Sequence, residues 1–383
     1  MSLAGLRVVV AEDPRLRQLL PVTDGAGVGA DVTAPAAMRP FLAAALASRA
    51  GGGHGFTLAV TATAREAEDL TDALSSLLSP ERVACFPAWE TLPHERLSPR
   101  SDTSGRRLAV LRRLRHPEAG DPRSGPLDAV VTPVRSLLQP IVSGLAEMAP
   151  VGLRPGDQAE LGDVAARLVE IGYNRVDLVE RRGDVAVRGG ILDVFPPAEE
   201  HPLRLEFFGD TLEEVRFFRV ADQRSLDGSP ASLWAPPCRE LLLTPEVRER
   251  AKQLTADHPG LADLLGPLAD GICVEGMEAF APVLASGMEL LLHYLPAGAS
   301  VLACDPERIS ARATDLVRTS QEFLAASWVN AAAGGQVPID LGGAAFQPMS
   351  QVRDTADDLG VAWWTLSPFG DEDADEREGR SAA

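Results

Sequence analysis

Three side chains with the chemistry of a protein-docking site lie within 21 residues of one another: Arg188, Arg204 and Phe208. In Leu203-Arg204-Leu205-Glu206-Phe207-Phe208 the period-two alternation of a strand places Leu203, Leu205 and Phe207 on one face and Arg204, Glu206 and Phe208 on the other. Val185-Ala186-Val187-Arg188 likewise turns its valines one way and Arg188 the other. Guanidinium groups beside an exposed aromatic ring have the composition of an interface hot spot. Alternation alone permits a second arrangement, in which Phe208 caps a small second core and the arginines pair with nearby acids such as Asp193 or Glu206.

No catalytic or metal-ligating group accompanies these residues. The six histidines are scattered, and G-x-S-x-G, H-E-x-x-H and D-x-D-x-D-G are absent. Of 36 basic residues only Lys252 is a lysine, and it stands between Ala251 and Gln253, so no Gly-Lys-Ser/Thr phosphate loop exists. Gly25 to Ala30 (GAGVGA) has the spacing of a dinucleotide fingerprint. No clear strand leads into it, however, and Pro35 falls where the first helix should already be running, so it reads as a surface loop. Arg49 to Gly55 (RAGGGHG) reads as a connector. Arg106, Arg107, Arg112, Arg113 and Arg115 wrap around one helix without interleaved aromatics, which reads as a solvated face. Cys85, Cys238, Cys273 and Cys304 form no C-x-x-C pair and have no histidine at a ligand spacing, the pattern of reduced thiols.

The whole chain carries a formal net charge of −19, and such a field repels a phosphate backbone, which argues against a general nucleic-acid clamp. No apolar run reaches 18 residues, and Arg7, Glu12 and Asp13 interrupt the first twenty. The expectation is a cytoplasmic protein without a membrane partner.

The elements that must position these residues fall into two patterns. Helices at Phe41 to Ala50, Ala64 to Leu78 and Thr103 to Arg115 alternate with strands at Phe56 to Thr61, Val83 to Phe86 and Leu127 to Thr132, the order of a parallel sheet covered on both faces. From about Val151 one helix, Glu160 to Ile171, precedes strands at Arg175 to Glu180, Val185 to Arg188, Ile191 to Phe195, Leu203 to Phe208 and Val215 to Val220. Helices return at Glu246 to Thr255 and Met277 to Leu284, followed by a strand at Ser300 to Cys304. The simplest topology is a small α+β domain inserted into a larger α/β domain whose outer segments share one sheet. The last 40 residues read as loose, with Asp371 to Gly379 (DEDADEREG) a solvated acidic tail.

Three longer stretches add a family likeness: FPAWETLPHERLSP (Phe86 to Pro99), GYNRVDLVERRGDVAVRGGILDVFP (Gly172 to Pro196) and PLRLEFFGDTLEEVRFF (Pro202 to Phe218). They resemble the amino-terminal, UvrB-like module of the bacterial transcription-repair coupling factors (Mfd). The resemblance implies a degenerate RecA/P-loop-like parallel-sheet domain split into residues 1–149 and 235–340, an inserted UvrA-binding α+β domain at 150–234, and a linker with acidic tail at 341–383. It implies a non-catalytic adaptor, without a cofactor of its own, that recruits UvrA. ATP and magnesium would belong to a translocase motor further along the parent chain, which reaches RNA polymerase and DNA through downstream domains. A carboxy-terminal domain of the parent is expected to cover the UvrA-binding face at rest. The alternative is an active UvrB-like, ATP-dependent DNA-loading subunit. Against it, Asp31 to Met38 (DVTAPAAM) falls where the working subunit carries G-x-x-x-x-G-K-T, with Ala37 for the lysine and Met38 for the magnesium-binding hydroxyl. Cys304-Asp305-Pro306-Glu307 resembles a decayed D-E-x-x box. The family's UvrA-contacting residues carry over to Arg188, Arg204 and Phe208.

Overall fold

The computed structural model describes residues 29–48, 55–92, 97–118, 125–228, 230–332 and 346–368, together with Gly5 and Pro14. The GAGVGA motif up to Val28, the glycine-rich connector up to His54 and the acidic segment from Asp371 lie outside the described residues.

Alternating strands and helices build the larger domain: β1 (Asp31–Thr33), α1 (Arg39–Leu46), β2 (Thr57–Thr61), α2 (Ala64–Leu77), β3 (Val83–Cys85), α3 (Ser101–Arg115) and β4 (Ala129–Pro133). Apolar residues at Ala67, Leu70, Leu74 and Leu77 give α2 one buried stripe. Thr63 starts it with a capping box, its hydroxyl accepting from the Glu66 N–H while the Glu66 carboxylate accepts from the Thr63 N–H at 3.1 Å.

The chain then enters the insert: β5 (Val151–Leu153), α4 (Leu161–Glu170), β6 (Asn174–Arg175), β7 (Asp184–Arg188), β8 (Ile191–Val194), β9 (Leu203–Phe208), β10 (Thr211–Phe217) and β11 (Leu233–Ala235). It returns through α5 (Pro245–Asp257), α6 (Ala262–Ala269), β12 (Ser300–Cys304), α7 (Pro306–Ala332), α8 (Met349–Asp358) and β13 (Ala362–Ser367).

Six parallel strands in the order β1-β13-β12-β2-β4-β3 unite the two outer segments in one sheet. Leu42 and Leu46 of α1 and Leu70 and Leu74 of α2 cover one face, against Ala59, Val131, Leu302 and Trp364. Leu108 and Leu111 of α3, Ile309 and Ala313 of α7 and Val352 of α8 cover the other, against Leu58, Val60, Val130 and Val301. The insert forms a separate sheet, β10-β9-β8-β7-β6, antiparallel except for the β6–β7 pair. Strands β5 and β11 pair antiparallel at its base, Val151 opposite Ala235.

The strand expected over Val215 to Val220 spans Thr211–Phe217 instead, and two further element-level expectations need correction. The segment from residue 341 is not simply linker, because α8 and β13 belong to the larger domain and β13 lies inside its sheet, between β1 and β12. Its Ala362, Trp363, Trp364 and Leu366 are buried, and that apolar content decides its place. The strand expected over Arg175 to Glu180 stops at Arg175. The Asp184 carboxylate accepts the backbone N–H groups of Glu180 and Arg181 at 3.1 and 2.8 Å, which turns the chain away from the ladder.

Candidate protein-docking site

Two glycine hairpins form one end of the inserted sheet. Gly189 and Gly190 join β7 to β8, and Gly209 and Asp210 join β9 to β10, with Gly189 and Gly209 in the left-handed region at φ 59° and 60°. Gly190 is also required sterically, since a β-carbon there would lie 2.9 Å from the Phe207 carbonyl oxygen. Arg188 ends β7 and Phe208 ends β9, so both stand at this end, separated by about two strand spacings, roughly 10 Å across the sheet. Both are exposed, Phe208 at 79%. A register shift between Glu206 and Phe207 sets the last two residues of β9 apart from the regular ladder.

Arg204 is placed differently. Its Nε and Nη2 donate to the two carboxylate oxygens of Asp193 at 2.7 and 2.8 Å, its Nη1 donates to the Gln223 carbonyl at 3.3 Å, and its guanidinium lies 4.7 Å from the Phe218 ring centre. Asp193 holds the Arg204 guanidinium above its ordinary value, outweighing desolvation. A second small core does exist on this face, made by Val179, Ala186, Phe195 and Phe218. Arg204 closes over it, whereas Phe208 does not belong to it. Of the arrangements open from sequence, local pairing with Asp193 holds for Arg204, which supports the sheet more than it reaches outward.

Next to Arg204, Arg216 pairs with Glu206 at 3.6 Å and with Glu214 at 2.5 Å, so the outer face carries a ladder of compensated charge. Arg188, Ile191, Glu206 and Glu214 form its last cross-strand row before the hairpin tips.

The helix read as a solvated basic face hides one of its arginines. Arg107 is fully buried, bonded to Glu240 at 2.7 and 3.1 Å and to the Pro87 carbonyl at 2.9 Å, and stacked 4.2 Å from the Phe86 ring centre. Trp89 Nε1 donates to the same Glu240 oxygen at 2.7 Å. Neighbouring arginines meet backbone oxygens, Arg113 at Gly125 and Arg115 at His293. Five basic residues on one helix gave no sign of this, because the pairing acid lies 133 residues away.

At the carboxyl ends of the parallel strands, Ala36–Met38 form one 3-10 turn with Ala36 and Ala37 exposed. Asp305 follows β12 at 4% exposure and φ 71°. It accepts from Arg39 Nη2 at 3.4 Å.

The sequence model of the UvrB interaction domain family matches residues 151–233, a span that contains Arg188, Arg204 and Phe208. The transcription-repair-coupling factor of Mycobacterium tuberculosis is 49% identical over 397 aligned residues, covering 99% of this chain and 32% of that protein. This chain carries the UvrB-homology module of the transcription-repair-coupling factors. The factor of Bacillus subtilis is 28% identical over 69% of the chain and 23% of its own length. The UvrABC system protein B of Geobacillus kaustophilus is 45% identical over 67 residues, 17% of the chain. The module thus spans about a third of the mycobacterial coupling factor. Among its described residues no helix is long and apolar enough to cross a membrane.

Proposed function

We propose that this module is an adaptor that docks UvrA through the hairpin end of its inserted sheet, with no nucleotide chemistry of its own. The observation that carries the reading is Phe208, 79% exposed at the same hairpin end as the exposed Arg188, within the span matched by the UvrB interaction domain. A large ring left in water on a short hairpin gains by burial in a partner's pocket, and a neighbouring guanidinium adds charge-assisted bonds that strengthen as water leaves. Arg204 acts as a positioning residue, holding Asp193 and Phe218 so that β9 presents Phe208 correctly. In the parent chain, on this reading, a downstream ATP-dependent translocase displaces stalled RNA polymerase on DNA, this module brings UvrA to the same place, and a carboxy-terminal domain covers its docking face at rest.

The test is co-elution of the purified chain with UvrA. Arg188→Glu and Phe208→Ala each lose the complex at least tenfold, in line with the cost of truncating a hot-spot residue, about 2 kcal/mol. Correctly folded variants that co-elute as wild type would remove the proposal. The alternative, an active UvrB-like subunit, predicts saturable binding of ATP with magnesium. The adaptor reading predicts none, because Ala37 stands where the resemblance puts the phosphate-binding lysine.

A further inference from the structure

The parallel sheet changes its direction of winding between β12 and β2. The chain leaving β2 runs through α2 on one face towards β3, and the chain leaving β12 runs through α7 on the other face towards β13. Such a reversal opens a crevice at the carboxyl ends of the two strands, the place where sheets of this kind take ligands.

Here four charged side chains from the rims of the two strands meet. Arg39 comes from the start of α1, Glu66 from the first turn of α2, and Asp305 and Arg308 from the end of β12 and the first turn of α7. Arg308 reaches Glu66 at 2.6 Å and Asp305 at 3.7 Å, while Arg39 reaches Asp305 at 3.4 Å and Glu66 at 4.0 Å. Two guanidinium groups and two carboxylates thus alternate around a closed ring of zero net charge. Asp305 takes a left-handed backbone, uncommon for a residue with a β-carbon, and its Oδ1 accepts the Arg308 N–H at 3.3 Å. The turn therefore holds its carboxylate between the two arginines and over the amino end of α7.

We propose that Arg39, Glu66, Asp305 and Arg308 are a built-in substitute for an external ion: they close the switch-point crevice from within, so that this domain completes its fold without metal or phosphate. The ring has a reciprocal property. Without its arginines it leaves two carboxylates facing each other, an oxygen site for a hard divalent cation. Without its acids it leaves two guanidinium groups among helix amino ends, a site for phosphate oxygens.

Thermal melting of the whole chain tests this independently of any docking partner. The measurements use wild type, Arg39→Ala/Arg308→Ala and Glu66→Gln/Asp305→Asn, each with magnesium chloride, sodium tripolyphosphate or sodium chloride at matched ionic strength. Both double variants melt about 5 °C or more below wild type, as expected for a broken, partly buried charge set. Magnesium raises the melting temperature of the arginine-deleted variant alone, tripolyphosphate raises that of the acid-deleted variant alone, and wild type responds to neither. A wild-type response to either ion would overturn the proposal, as would variants that respond alike, respond to neither ion or melt as wild type. Should a double variant not fold, Arg308→Ala and Glu66→Gln replace it and the same responses decide for or against the ring, since both side chains are partly exposed.

Discussion

Residues of one type on one sheet can have opposite surroundings, and Arg188 and Arg204 of the inserted sheet show how. Arg188 ends its strand in solvent, whereas Arg204 is held by a carboxylate only 5% exposed and by an aromatic ring beneath it. Arg204→Ala strands Asp193 on a covered face and is expected to lower stability by about 2 kcal/mol, read as a shift of the urea midpoint at unchanged slope. On the proposed reading, any loss of UvrA binding by this variant follows from the sheet, and Arg204→Lys restores part of the stability but not the two-pronged bond. Alternation placed Leu203 and Leu205 inward and Phe208 outward correctly, because the core face is a local property of the strand. It could not tell that the opposite face is half covered, since Val179, Phe195 and Phe218, which cover it, come from other parts of the insert.

Elements were legible where their own pattern decides them. Strands β9 and β12 lie where their apolar runs place them, and α2 begins at its capping box. Strand β13 departs from the expected loose end because Ala362 to Leu366 (AWWTL) is the apolar run of a buried strand, whereas the tail-like composition begins only with the acids from Asp371 onward. The expected run of β6 failed for a different reason, a side chain capturing backbone donors. Between elements, the buried Arg107 joins α3 to Glu240, just beyond the return strand of the insert, and so ties the two segments of the larger domain together. Arg107→Ala leaves Glu240 buried without its counter-charge and is expected to cost about 3–5 kcal/mol, measured by chemical denaturation. Arg107→Lys recovers little, because an ammonium cannot hold both Glu240 oxygens while stacking on Phe86.

For the molecule as a whole, pH acts on stability through carboxylates whose environments pull in opposite directions. Burial pushes Glu66 up, but the hydrogen bonds from Arg308 and Thr63 outweigh it and hold the carboxyl below its usual range. Its contribution is therefore present above the ordinary carboxylate value, about pH 4, and is lost as pH falls through the lower folded value. Glu278 has the reverse sign. Burial raises it despite Arg239 and Ser98, so the fold favours its proton, and stability declines as pH climbs from the ordinary value to the folded one. A melting-temperature profile against pH is expected to lose part of its acid limb in Glu66→Gln and part of its decline above about pH 4 in Glu278→Gln. Unchanged profiles in both variants would show that neither group governs the acid response.

The facing of Val151 and Ala235 across one pair of base strands leaves the points of departure and return about 5 Å apart. A gap that short can be bridged by a tight turn on either side, at little entropic cost. The inserted sheet therefore stands on a single two-stranded stem, with the entry and the exit of its chain as hydrogen-bonded neighbours.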